Sequence, residues 1–159
     1  MNESTEYSVI SATSEYAGFV GEIYNQNIEA LHGGDIYNWS EIFSWNDIDE
    51  ENFIIFQNDS PAAWLRVNGL ENQKQDMAWI SMLVVGVESH RKGVGTYAIN
   101  YAEEYIKSKG FAKVGIHTTE DNFSAQSLYR KCGYVKTDFG DCTNGDGQKR
   151  KGCTFEKEL

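Results

Sequence analysis

Residues Ser89 to Ala98 read SHRKGVGTYA, with His90, Arg91 and Lys92 set against a Gly93-Val94-Gly95 step that runs straight into a helical pattern. These residue types in this order can hold an anion. The first N–H groups of a helix lack backbone partners and carry a partial positive charge. Glycines at 93 and 95 present no Cβ, so a diphosphate can approach the backbone and the turn can take positive φ. The stretch is not the Walker pattern, because no Gly-Lys-Ser/Thr follows. Nor is it GxGxxG, because position 98 is alanine and no acidic ribose partner lies about 20 residues on. Taken alone, a Gly-x-Gly step more often opens an ordinary helix beside exposed basic residues, so its place in the chain has to decide.

That place is set by the neighbouring elements. MAWISMLVVGV (Met77 to Val87) reads as a long strand, apolar without interruption from Met82 to Val85, as a central strand covered on both faces requires. From Val94 to Lys109, apolar residues at Val94, Ala98, Tyr101 and Tyr105 recur at helical spacing until Gly110. AKVGIHT is the next strand; Asn122 can cap the helix SAQSLYRKC, which Gly133 ends, and YVKTDF and GCTFEKEL close the chain as strands. Upstream, YSVISA is a short strand, Ser14 to Leu31 a helix, and Asn38 to Trp45 a second short helix. NFIIFQ and AAWLRVNGL form a hairpin across the turn NDSP. The order is β-α-α-β-β-β-α-β-α-β-β. Residues 77–117 then form a parallel strand–helix–strand unit flanked by antiparallel hairpins, and the sheet is expected to be mixed.

Bulk properties narrow the function. The chain has 159 residues, 40% of them hydrophobic, which fits one domain over residues 1–159. No apolar run reaches a membrane span, and the N-terminus lacks a secretory pattern, so a soluble cytoplasmic protein is expected, with no membrane partner. Cys132, Cys142 and Cys153 form no CxxC pair, and neither they nor the scattered His32, His90 and His117 show metal-ligand spacing. Free thiols are the simpler account. A net charge of −10 argues against a nucleic-acid partner, and the short KRK run at 149–151 reads as a solvated edge. Charge is unevenly spread: residues 1–80 hold 14 acidic and 2 basic side chains, residues 81–159 hold 10 and 12. The two halves are thus suited to ligands of opposite sign, unless the acidic surface serves only solubility.

VGVESHRKGVG (Val85 to Gly95) followed by NFSAQSLYRKCGY (Asn122 to Tyr134) resembles the acetyl-CoA-binding core of the GNAT superfamily of acyl-CoA-dependent N-acetyltransferases. His90 to Gly95 match the family's Q/R-x-x-G-x-G/A pyrophosphate motif. Asn122, Ala125, Leu128, Tyr129, Gly133 and Tyr134 match its N-x-x-A-x-x-L-Y-x-x-x-G-F/Y pattern. Two motifs in order, one helix and one strand apart, are far more specific than either alone; His90, where Gln or Arg is usual, and Val87, for a frequent proline, depart from the pattern. The resemblance covers roughly residues 77–137. It implies an α+β fold, sandwich-like, with a mixed, mostly antiparallel sheet of about seven strands, a central splayed parallel pair and flanking helices. It also implies acetyl-CoA as cosubstrate. Leu83, Val84 and Val85 would lie along the pantetheine arm where the central strand leaves its neighbour at 114–117. His90, Arg91, Lys92, Gly93, Val94, Gly95 and Thr96 would hold the pyrophosphate, with the amides from Arg91 onward doing most of it. Asn122 and Ala125 would meet the arm, and Tyr129 would face the thioester sulfur.

Amine attack on a thioester needs a deprotonated nucleophile, a donor for the developing oxyanion and a partner for the departing thiolate. A backbone N–H near Val85 suits the second need. A tyrosine of ordinary pKa near 10 stays protonated beside a thiol near 8.5, so Tyr129 suits the third as general acid, although its helical face with Ala125, Leu128 and Cys132 also suits a core tyrosine. No general base stands out: Glu120, Asp76 and water are the candidates. Asp35, Glu41, Asp47, Asp49, Glu50 and Glu51 are expected over the acceptor side, where they would draw a cationic amine; Trp39, Phe43 and Trp45 would line that pocket or simply dock the short helix. The acceptor is then a small or polycationic amine, with a peptide N-terminus or lysine as runner-up. A non-catalytic acetyl-CoA sensor is the reading of a different class. The sequence leaves monomer and homodimer open.

Overall fold

Side-chain alternation decides which surfaces the strands bury. The computed structural model describes residues 5–28, 49–71, 76–90, 93–143 and 148–159; the expected short helix at 38–45 lies outside them. In β2 (Glu51–Gln57), Phe53 and Ile55 face one core and Ile54 the other. In β3 (Ser60–Asn68), Ala63, Leu65 and Val67 go with the first and Trp64 with the second. In β4 (Met77–Val85), Leu83 and Val85 pack with the first core and Val84 with the second. The sheet therefore divides two apolar layers.

Helix α1 (Ala17–Gln26) covers the second layer with Val20, Ile23 and Tyr24. Helix α2 (Val94–Ser108) covers the first with Val94, Ala98, Ile99, Ala102 and Ile106. Beside that stripe Tyr97 stacks on Tyr7 at 4.6 Å, and Tyr101 and Tyr105 meet Phe53 edge-on at 5.2 and 5.0 Å. Helix α3 (Phe123–Lys131) joins the same layer through Tyr129.

With β1 (Tyr7–Ser11), β5 (Lys113–Thr119), β6 (Val135–Thr143) and β7 (Lys149–Glu158), the sheet has seven strands in the order β1-β2-β3-β4-β5-β7-β6. All pairings are antiparallel except β4 with β5. The mixed sheet, the hairpins and the parallel unit are as the sequence predicts. The β2–β3 hairpin turns on Asn58 and Asp59, with φ of 49° and 67°, the left-handed pair of a tight two-residue turn.

The parallel pair is short. Met77 to Ile80 register with Lys113 to Ile116, and there pairing ends, although β4 runs five residues further and β5 three. The strands are thus joined at 113–116 and part beyond, a little later than the sequence suggests. The β3–β4 register slips at Arg66/Val67, leaving Ser81 as the extra residue where the parting begins. β5 keeps β7 beside it over its whole length.

A buried acid ties the first layer together. Glu103 of α2 accepts from the Tyr134 hydroxyl at 3.0 Å and pairs with Lys157 of β7 at 2.9 Å. Burial first, and then Glu103, push the Tyr134 pKa upward, so the phenol stays a donor.

Trp79 lies across Gly115, its partner in the parallel register, so closely that a Cβ there would fall 2.5 Å from the indole. Gly115→Ala should cost about 1–3 kcal/mol of stability by overpacking, read as a lower denaturant midpoint with unchanged slope. An unchanged midpoint would mean that the indole moves aside freely.

Candidate active site

The opening begins with the direction of peptide groups in β4. Gly86 N donates to Ala62 O at 2.9 Å, which makes 86/62 a hydrogen-bonded pair of the antiparallel ladder. Alternation then turns Val84 toward β3, and turns the N–H and C=O of Leu83 and Val85 the other way, where β5 has left. Leu83 and Val85 thus offer an open strand edge. Val84 does not: its peptide faces β3 and its side chain, 1% exposed, fills the α1 layer.

The chain leaves β4 through a short 3-10 turn, Val87–Ser89, and enters α2 at Gly93, whose φ of +84° is left-handed. A Cβ on Gly93 would lie 3.0 Å from the Tyr7 hydroxyl, so glycine is needed for both conformation and space. Tyr97 N is the first amide to reach a carbonyl of the helix start, Gly93 O at 3.0 Å, and no side chain caps the end. The amides of Val94, Gly95 and Thr96 therefore point out of the helix without partners in it, as an anion requires. The Val94 side chain is buried in the core. Arg91 and Lys92 lie outside the described residues. His90 is exposed, and its Nε2 contacts Val85 O at 2.9 Å.

Helix α3 brings the second motif to this place. Asn122 Oδ1 accepts from Ala125 N at 3.2 Å, capping the helix as predicted. Buried Gln126 donates to Thr119 O and Glu120 O, strapping the helix to the end of β5. At the other end Gly133, with φ of +93°, lets Tyr134 N reach Tyr129 O and Gly133 N reach Arg130 O, a Schellman closure. This explains the spacing of Tyr129, Gly133 and Tyr134: the glycine ends the helix four residues after Tyr129 and turns Tyr134 back onto it, ring centroids 6.4 Å apart.

Tyr129 itself lies edge-on to Phe155 at 5.7 Å. Phe155 registers with Ile116, the last residue of β5 that β4 holds. The ring is therefore at the fork. Leu128, one residue earlier, is what a Cβ on Gly95 would strike at 3.0 Å, so α3 also abuts the start of α2. No hydrogen bond to the Tyr129 hydroxyl occurs among the described residues, and burial pushes its pKa up to about 12.

Other expected residues separate. Asp76 precedes the first residue of β4, and its carbonyl accepts from Ala112 and Lys113 N. It stands at the far end of a nine-residue strand, about 30 Å from Val85 at the rise of a β-strand. Asp76 is corrected from a base candidate to a strand-start residue. Glu120 is exposed and follows β5 at the fork end. Asp49, Glu50 and Glu51 also lie at the far end, where β2 starts. Asp49 Oδ1 accepts from Glu71 N at 3.2 Å, and Glu50 pairs with Arg66 at 3.8 Å. These three are structural rather than facing the opening, because β2 and β4 run in the same direction. Asp35, Glu41, Asp47, Trp39, Phe43 and Trp45 lie outside the described residues. Sequence reasoning missed Gln26 and Asn27, which reach from α1 to Val87 N and Val85 O; no motif marks them.

Two outcomes follow. Gly93→Val should abolish acetyl-CoA binding in calorimetry while circular dichroism still shows the fold; normal affinity would place the anion seat elsewhere. For Tyr129, a folded pKa near 12 against about 10 unfolded means that stability is intact below pH 10 and lost as pH rises toward 12. Between pH 8 and 11 the wild type should lose on the order of 1 kcal/mol more than Tyr129→Phe in denaturant titrations; equal losses would show that the phenol is not shielded.

The geometry matches a known family. The profile of the acetyltransferase (GNAT) family matches residues 15–134. The "GCN5-related N-acetyltransferase 7, chloroplastic" of Arabidopsis thaliana is 37% identical over 57 residues, 36% of this chain; the match spans only 21% of that relative's length. A ribosomal-protein-alanine N-acetyltransferase from Brucella melitensis superposes with a TM-score of 0.80 at 12% identity, over 96% of this chain and 99% of that one. A variant of a spermidine N-acetyltransferase from Vibrio cholerae superposes at 0.77 and 16% identity, over 95% and 94%. At such identities the likeness speaks for the fold. With three quarters of its length inside the family profile, and with the open β4 edge, the glycine seat and Tyr129 gathered at one fork, this chain belongs to the acetyltransferase (GNAT) family, whose cosubstrate is acetyl-CoA.

Proposed function

We propose that this chain transfers the acetyl group of acetyl-CoA to a primary amine of a small or polycationic molecule, such as a polyamine, by direct attack. The observation that carries the reading is the convergence, at one end of the sheet, of a strand edge that no neighbouring strand takes up, three outward helix amides and a phenol raised in pKa by burial, with no hydrogen bond to its hydroxyl among the described residues. The residues fit the cosubstrate: Leu83 and Val85 offer peptide groups to an arm laid along β4. The Val94 to Thr96 amides suit a diphosphate, and the bare Gly93 leaves it room. Asn122 and Ala125 flank the arm from α3.

Acetyl-CoA supplies the thioester. The amine nitrogen bonds to the acyl carbon, the C–S bond breaks, and the amine proton passes to water or to Glu120. A backbone N–H near Val85, on the edge that β5 leaves, suits the developing oxyanion. Tyr129 is protonated at every physiological pH and donates toward the departing sulfur. Magnitudes refine that role. A phenol near 12 facing a thiol near 8.5 makes full proton transfer uphill by about 5 kcal/mol, so Tyr129 serves chiefly as a hydrogen-bond donor to the thiolate rather than as a complete acid.

The acceptor is argued from charge, since proteins of this fold named for spermidine and for ribosomal-protein alanine superpose about equally well. Fourteen acidic against two basic residues in the first 80 favour a cation through the overall field of the chain, although Asp49, Glu50, Glu51 and Asp76 stand at the end away from the opening. A cytoplasmic location belongs to the same reading, supported by the free thiols of Cys132 and Cys153; no helix among the described residues is long and apolar enough to cross a membrane.

Thiol release from acetyl-CoA should be saturable with spermidine or spermine, and Tyr129→Phe should lower kcat at least tenfold with cofactor affinity nearly kept. Release only with peptides would move the acceptor to protein amines. Tight cofactor binding with no release from any amine would identify a sensor, and an unchanged kcat in the variant would remove Tyr129 from the chemistry.

A further inference from the structure

The carbonyl oxygen of Val85 is where the open edge of β4 is already contested. It accepts from Asn27 Nδ2 at 3.0 Å and from His90 Nε2 at 2.9 Å. A carbonyl oxygen has two lone pairs, and two donors fill them. Yet this carbonyl belongs to the edge along which the arm of acetyl-CoA pairs in the proposed function, and each arm amide N–H laid there needs an acceptor from β4. One of the present donors has to leave.

The two donors are held very differently. Asn27 spends its other amide hydrogen on Ile23 O at 2.8 Å, in the last turn of α1. Its neighbour Gln26 accepts from Val87 N at 3.1 Å, so α1 grips this corner through two adjacent side chains. Releasing Asn27 disrupts a part-buried corner. His90 is exposed, makes one side-chain hydrogen bond among the described residues, and stands at the end of the 3-10 turn, three residues before Gly93. Its release breaks one exposed bond, and only three residues of chain separate the freed imidazole from the Gly93 start of α2, whose outward amides suit a diphosphate that would accept its N–H.

We propose that His90 is a positioning residue that latches the Val85 carbonyl, and that acetyl-CoA binding along β4 displaces it, so that the imidazole competes with the pantetheine arm and is transferred to the diphosphate. Asn27 stays. The inference rests on the proposed pairing of the arm with β4, and it is separable from that reading. It concerns which side chain yields, not whether the cosubstrate binds.

The test uses the wild-type chain labelled with 15N-histidine, the His90 signal being identified by its loss in His90→Gln. Saturation with acetyl-CoA should shift the His90 Nε2 resonance. Two fragments then divide the effect in His90→Ala. S-acetylpantetheine, the arm without diphosphate, should bind three- to tenfold more tightly than to wild type, because one lone pair has been freed. ADP, a diphosphate without the arm, should bind no more tightly. A turn loosened by the substitution would instead weaken both probes. The latch is overturned if the His90 resonance stays fixed while calorimetry shows acetyl-CoA bound, or if S-acetylpantetheine binds the variant no better. Absence of acetyl-CoA binding to the wild type would overturn the proposed function and the latch together.

Discussion

Hydrogen bonding between β4 and β5 stops after Ile80 and Ile116, and the rest of the site depends on that interruption. Buried or half-buried peptide groups must find partners, and β3 serves only every second residue of the end of β4. On the other side β5 has turned to β7, which holds it through Thr119. The peptide groups of Leu83 and Val85 are left for something other than the sheet. A ligand with amides of its own can then bind as an added strand, and the bulge at Ser81 keeps the strand bent away where the gap opens.

The other parts of the site are placed by devices that close helices. The left-handed Gly93 starts α2 at the mouth of the fork, and the Schellman closure at Gly133 fixes Tyr129 and Tyr134 relative to each other. The Glu103 carboxylate then links α2, Tyr134 and β7, so the helix that begins at Gly93 and the segment that carries Tyr129 are held to one strand. Burial gives Tyr129 a raised pKa, so the phenol at the fork stays protonated across the physiological range.

Much of this was legible before any coordinates. The apolar run ending at Val85, the glycine step and the Asn122-to-Tyr134 pattern each have a local cause, and local causes are written in consecutive residues. Alternation marked the strands, and the Asn122 cap and Gly133 stop bounded α3 correctly. What sequence could not supply was distance between elements. Asp76 reads well as a base beside a central strand, but it belongs to the strand's other end, and Asp49 to Glu51 share that fate because β2 and β4 run in the same direction. Glu103 left one trace, an acid on the apolar stripe of α2, whereas Asn27 left none, since its contact with Val85 spans 58 residues.

By itself, then, the sequence determined the elements, the positive-φ glycines, the two motifs and through them the family, because each follows from periodicity, capping or the absence of a Cβ within a short window. Only the tertiary structure decided where β4 and β5 part, which peptide groups that leaves open, which acids stand near the opening and which donors already occupy the Val85 carbonyl. Those are consequences of strand order, direction and register, which bring together residues that no local spacing connects.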